Sequence, residues 1–415
     1  MPKLHLHVQE TNAVPGAALL SVDEHAAGVA ALLAPTPVDQ RPLESCLGLG
    51  LAGDLVSPIP LPPFDNSAMD GYAVRAVDVA SASAAEPVSL PVAQDIPAGR
   101  GDELVLQPGT AHRIMTGAPL PAGADAVVPV ELTDGGTSMV RMFGGVEVGR
   151  HVRRAGEDVR PGSVVLGAGA TLGAAQLGVA AAAGYGVLPV HRPPSVLVLS
   201  TGSELVAAGT PLRPGQIYES NGPMLSAAVR SAGGTTTLAH FVADDVADFH
   251  AALGDRLDAV DLVLTSGGVS AGAYEVVKDA LRAHGVRFVK VAMNPGMPQG
   301  LGRYRGTPVV TLPGNPVSAL VSFEIFVRPA LLAAGGHAEV HRLRVLARLA
   351  DAAQSPAGKR QFRRGRLSPD GTVSLVGGPG SHLLGSLASS NCLVELAEDV
   401  VEVAAGTGVS VLLLT

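Results

Sequence analysis

Between Asp261 and Glu324 the chain states one pattern twice: a short apolar run, an abrupt glycine-containing polar turn, then a helix-like segment. Leu262 to Leu264 ends in TSGGVSAG, and Pro308 to Leu312 ends in PGNPVS. Strand, glycine turn and helix in succession build a parallel α/β sheet. Ligands of such sheets bind beyond the carboxyl ends of the strands, where turn amides and helix N-termini present unpaired N–H donors. Gly267, Gly268 and Gly314 would let the backbone approach a phosphate or similar anion with no Cβ in the way. Ser266 and Ser270 on the first turn, with Pro313 and Asn315 on the second, complete the candidate binding residues. Each turn alone reads equally well as a tight strand-to-helix connection. Two in one unit favour a nucleotide-like ligand.

At 415 residues the chain is too long for one ordinary core, so several domains are expected. A net charge of -8 argues against a protein that coats nucleic acid. Cys46 and Cys392 form no CxxC pair, which disfavours a disulfide framework or a zinc site and points to a reducing compartment. The first ten residues lack the apolar core of a signal peptide. The charge-free stretch from Gly162 to Val190 is long enough to span a bilayer, but six glycines and Gln176 interrupt it, so it reads as buried soluble structure. A cytoplasmic protein with no membrane and no nucleic-acid role is expected.

Taken in order, His5 and His7 alternate near the start without a partner cluster, so a tail or edge strand is preferred to a metal site. Ser21 to Leu33 has helical spacing, with Ser21 and Glu24 at the positions of a capping box. GLGLAG at Gly48, Gly50 and Gly53 matches a dinucleotide fingerprint by letter, but no apolar strand precedes it, and it is read as a decoy. Prolines 58, 60, 62 and 63 then open a mostly β span, and Gly162 to Val190 is expected to pack with the first helix. Pro193-Pro194 marks the start of the α/β unit. Glu204, Asp244 and Glu275 fall at strand ends or helix starts on what should be one edge of the sheet, where carboxylates suit Mg2+ or capping. From His341 alternating strands suggest a small barrel or sandwich. Its basic run, Lys359, Arg360, Arg363, Arg364 and Arg366, suits one oxyanion-binding arginine with the rest as solvated charges.

These pieces resemble one family, the molybdopterin molybdenumtransferases, or MoeA family, which includes the gephyrin E domain. The matching motifs are PPFDNSAMDGYAVR (Pro62 to Arg75), RIMTGAPLPAGADAVV (Arg113 to Val128), GEDVRPG (Gly156 to Gly162), LSTGSEL (Leu199 to Leu205), TSGGVSAG (Thr265 to Gly272) and LPGNPVSA (Leu312 to Ala319), with GSHLLGSL (Gly380 to Leu387) a weaker one. The resemblance implies a multidomain α/β plus β fold. Residues 12–56 and 159–193 would form a discontinuous N-terminal domain, 57–158 an inserted β domain, 194–340 a MogA-like three-layer α/β domain, and 341–415 a C-terminal β-barrel.

It also implies an elongated homodimer whose active site lies between the α/β domain of one subunit and the inserted domain of the other. The implied reaction inserts molybdate into adenylylated molybdopterin and releases AMP, assisted by Mg2+. Asp70 and Thr116 would come from the inserted domain, followed by Asp158 in the GED turn. Glu204 and Asp244 would hold the metal, Lys290 would neutralise substrate charge, and Arg364 and Ser381 would lie near the molybdate. Relatives often have Asp at Glu275 and lysines at Asn294 and Met297, so Lys290, Lys278 or Arg303 would have to replace two lost cations. A molybdopterin adenylyltransferase and a gephyrin-like scaffold are the alternatives. The adenylyltransferase of the preceding step and recipient molybdoenzymes are possible partners.

Overall fold

The computed structural model describes residues 19–241, 246–267 and 276–414. Its central six-stranded sheet runs, edge to edge, Thr235–Phe241, Ser195–Thr201, Leu262–Ser266, Thr307–Leu312, Pro298–Tyr304 and Arg287–Lys290. The first four strands are parallel and the last two antiparallel. Side chains alternate between the two faces of a strand. Val196, Val198, Leu262, Leu264, Val310 and Leu312 therefore join one core, and Leu197, Leu199, Val263 and Val309 another. All ten are buried, so helices cover both faces and the unit has three layers.

The first core is closed by the helix Asn221–Ser231 and by the helical stretch Pro316–Ala334. The second is closed by Val246–Leu253 and Val276–Arg282. Pro316–Ala334 is long and apolar enough to cross a bilayer, but most of it is buried here, with Val317, Phe323, Phe326 and Leu331 at the centre of the core. A π-helical turn at Phe323–Val327 interrupts it.

The helix expected over Ser21 to Leu33 forms at Val22–Ala30 with its capping box. Glu24 N donates to Ser21 Oγ at 3.1 Å and Ser21 N to Glu24 Oε2 at 2.8 Å. Its packing differs from expectation. It lies against Phe323–Val327 and Arg328–Ala334 of the α/β unit, not against the segment from Gly162 to Val190. Val22 and Val29 enter the first core, and His25 meets the Phe326 ring edge-on at 4.6 Å. Burial, with a smaller effect from Arg287, pushes the His25 pKa down to about 4, so the ring is neutral at neutral pH and fits this apolar contact. Helical spacing reports that an apolar face exists; it does not say which surface covers it.

The segment from Gly162 to Val190 is also less buried than its composition suggests. It breaks into Val164–Leu166, the helix Ala174–Ala182 and the start of Val187–His191, and in that helix only Ala180 is buried. Val187–His191 pairs antiparallel with Val38–Pro42, and Val164–Leu166 with Leu55–Val56. Stretches flanking the β span thus share one core around Cys46, Leu51, Leu172, Leu188 and Val190. Of the decoy glycines only Gly50 is buried: a Cβ on it would lie 2.4 Å from the Gly335 carbonyl oxygen, so this glycine serves close packing.

The β span contains a five-stranded sheet ordered Ala126–Pro129, Gly71–Val74, Ala111–Ile114, Val88–Ile96 and Met139–Met142. At the C-terminal end, Arg344–Leu349, Arg360–Leu367, Thr372–Leu375, Cys392–Leu396 and Gly408–Leu413 pair in a closed cycle, a five-stranded barrel. Met293–Asn294, a short strand leaving the α/β unit, pairs in parallel with Arg360–Gln361 of the barrel. This pairing holds the barrel over the ends of the central sheet.

Candidate active site

The parallel strands end at Thr201, Ser266 and Leu312, and the turns that follow open into a cleft of 1420 Å3 between the α/β unit and the barrel. Gly267 and Gly314, one from each glycine turn, line it. Gly267 has φ +94 and its N–H donates to the Leu312 carbonyl at 3.1 Å, while a Cβ on Gly314 would lie 3.4 Å from Gly267 Cα. Gly267 is therefore packed against Gly314. Ser266, Pro313 and Asn315 also line the cleft.

Asn315 is the N-cap of the helix that begins at Pro316, but its side chain makes no capping bond. Asn315 Nδ2 donates instead to Ser381 Oγ at 2.8 Å, and Val317 N donates to the Ser381 carbonyl at 3.1 Å. A barrel residue is thereby seated on the positive end of a long buried helix, whose dipole favours anions. Asn221 Nδ2 braces the same place, donating to the Gly314 carbonyl at 2.7 Å.

Among the described residues, two carboxylates enter the cleft. Glu204 is exposed. Glu219 is 9% exposed, and its Oε1 accepts from Gly222 N at 2.8 Å at the start of the next helix. Asn294 and Met297 line the cleft as uncharged positions. Of the cations expected to replace lysines there, Arg303 is committed elsewhere, donating to the Leu32 carbonyl at 2.6 Å and to Gly306 at 2.9 Å. Lys290 sits on the edge strand and does not line the cleft. Neither does Arg364, which is 3% exposed and donates to the Gly380 carbonyl at 3.2 Å and to that of Gly378, bracing the loop that presents Ser381.

Asp70, Thr116 and Asp158 do not line this cleft either. Asp70 and Thr116 nonetheless form a pair of their own: Thr116 N and Oγ1 donate to Asp70 Oδ1 at 2.7 and 2.8 Å. These bonds hold the Asp70 carboxyl below the usual carboxylate range and keep it ionised. Nearby, Arg154 Nη1 and Ala155 N donate to Asp65 at 2.5 and 2.8 Å, fastening the FDN loop to the GED turn that carries Asp158. Asp244, Gly268, Ser270 and Glu275 lie outside the described residues.

Sequence reasoning missed Glu219, Asn221 and Lys359 as cleft residues. The Glu-Ser-Asn run before an apolar-periodic segment was a readable helix-start signal. Lys359, inside a run of arginines, carried no signal that set it apart.

Residues 20–184 match the family described as MoeA N-terminal region (domain I and II), residues 197–333 the probable molybdopterin binding domain, and residues 346–414 the MoeA C-terminal region (domain IV). A Mycobacterium tuberculosis H37Rv protein named molybdopterin molybdenumtransferase 2 is 57% identical over 403 residues, covering 95% of this chain and all of the relative. Molybdopterin molybdenumtransferase 1 of the same strain is 39% identical over 421 residues, covering 95% of this chain and 99% of the relative. Among solved structures, a MoeA protein from Pyrococcus horikoshii OT3 aligns with a TM-score of 0.82 at 29% identity, covering 95% of this chain and 100% of the other. A second MoeA structure from that species aligns at 0.78 with 32% identity, covering 96% and 100%.

Proposed function

The chain belongs to the MoeA family of molybdenum cofactor biosynthesis and is a transferase of that pathway, and we propose that it inserts molybdate into adenylylated molybdopterin with release of AMP. The observation that carries this reading is the convergence in one cleft of the Gly267 and Gly314 turns, a helix N-terminus and Ser381 from the barrel. Turn amides and a helix N-terminus suit the phosphates of the adenylylated substrate. Ser381, with its hydroxyl and its place on the helix start, suits a tetrahedral oxyanion.

The donor set also fits Mg2+. Glu204 offers a hard carboxylate in the cleft, and Glu219 stands in the same wall. Among the described residues no three acidic, His or Cys side chains form a metal cluster, but Mg2+ keeps several waters and needs only one or two carboxylates beside substrate phosphates. Glu204, with Asp244 on the family resemblance, would hold the ion, which when bound neutralises charge on the phosphates.

Asp70, Thr116 and Asp158 lie outside their own chain's cleft, which supports a reading in which they serve the cleft of a partner subunit in a homodimer. In that arrangement the ionised Asp70, oriented by Thr116, positions donors of the substrate and Glu204 faces it from the other subunit. Asp158 belongs to the same loop set through Asp65 and Arg154. A cytoplasmic dimer receiving substrate from an adenylyltransferase and passing product to molybdoenzymes completes the reading.

The alternative activity is separated by one assay. Given ATP and free molybdopterin, the protein is expected to release no pyrophosphate; pyrophosphate formed at catalytic rates would transfer the reading to an adenylyltransferase.

A further inference from the structure

Five basic residues crowd the strand Arg360–Leu367 and the residue before it, and four of them are occupied. The Arg360 guanidinium donates to Asp23 at 2.9 and 3.1 Å and to Glu398 at 2.9 Å. Arg363 reaches the Gly377 carbonyl at 3.5 Å, Arg364 those of Gly378 and Gly380, and Arg366 that of Ser389 at 3.2 Å. Lys359 has no hydrogen-bond or ion-pair partner among the described residues. It is also the one Lys or Arg among the described residues lining the cleft.

Its base is rigid. Gly358 N donates to the Glu398 carbonyl and Arg360 N to the Ala292 carbonyl, both at 2.9 Å, where the barrel joins the strand Met293–Asn294. A flexible four-carbon stem thus starts from a fixed point at the cleft wall and ends in an uncommitted ammonium. Without it the lining, among the described residues, would carry two carboxylates, Glu204 and Glu219, and no full positive charge to offset them, a wall that repels a multiply charged anion.

We propose that Lys359 is the oxyanion-binding cation of the cleft, supplied by the barrel to a multiply charged phosphate or oxometallate held against the glycine turns and Ser381. This inference rests on the function proposed above. Arg360 ties the barrel to the first helix, and Arg363, Arg364 and Arg366 donate to carbonyls of the barrel's own loops.

The test titrates AMP, pyrophosphate and molybdate separately into wild-type protein and into K359A, K359R and R366A, with unfolding midpoints measured on each. K359A is expected to weaken at least one ligand by about tenfold, the size of one charged contact, and to flatten its salt dependence. K359R should stay within about threefold because the charge is kept, and R366A should match wild type. A loss confined to AMP and pyrophosphate assigns the lysine to the phosphates, and one confined to molybdate assigns it to the metal oxyanion. K359A binding all three ligands as wild type does, with an unchanged midpoint, overturns the role of Lys359 alone. Wild-type protein that binds none of the three overturns the substrate reading and this inference with it.

Discussion

Dimers reassembled from equal amounts of Asp70→Ala and Glu204→Ala subunits are expected to recover about a quarter of wild-type AMP release, although each variant alone falls by on the order of a hundredfold. Random reassociation puts half of the subunit pairs in mixed dimers. In each mixed dimer one site has lost both groups and the other has lost neither. The expectation follows from where the side chains lie: Glu204 is in the cleft of its own chain, and Asp70, held by Thr116 at 2.7 and 2.8 Å, is not. Mixed dimers, confirmed by differential tagging, that remain silent would mean that Asp70 and Glu204 do not meet across subunits.

Gly267→Val is expected to lower kcat/KM by on the order of a hundredfold while the protein stays folded. Valine at φ +94 costs about 1–2 kcal/mol for the left-handed backbone alone. Its Cβ would also stand 3.0 Å from the Thr201 carbonyl oxygen and 3.2 Å from Thr201 Oγ1, with Gly314 packed on the same turn. The turn must shift, and the part of the cleft wall that Gly267 and Gly314 line shifts with it. Gly48→Val supplies the comparison: Gly48 has φ +79, nothing lies within 4 Å of where its Cβ would be, and it does not line the cleft. Equal losses of activity in both variants would show that destabilisation, not the cradle, is responsible.

The central sheet and the barrel were legible because their signals are local. Leu262–Ser266 and Thr307–Leu312 are apolar runs stopped by glycine, and the barrel strands alternate between turn residues. Arg287–Lys290 and Pro298–Tyr304 escaped because the first is short and charged and the second carries Pro298, Gly300 and Gly302. Contacts made across the fold left no local trace. Spacing showed that Val22–Ala30 has an apolar face but not that Phe326 covers it. Asp70 and Thr116, 46 residues apart, were joined by family resemblance, and each alone reads as turn chemistry. The division of labour among Lys359, Arg360 and Arg364 depends on which acceptors stand opposite each, and only the folded chain sets that.

The claim that this cleft performs metal insertion is tested most directly by AMP release from adenylylated molybdopterin with Mg2+, followed with and without molybdate and with tungstate in parallel. Release that rises with molybdate, together with activation of a cofactor-free molybdoenzyme by the product, is the predicted result. Tight binding of the adenylylated substrate with no release at any oxyanion concentration would contradict the account and bring a carrier or scaffold role to the front.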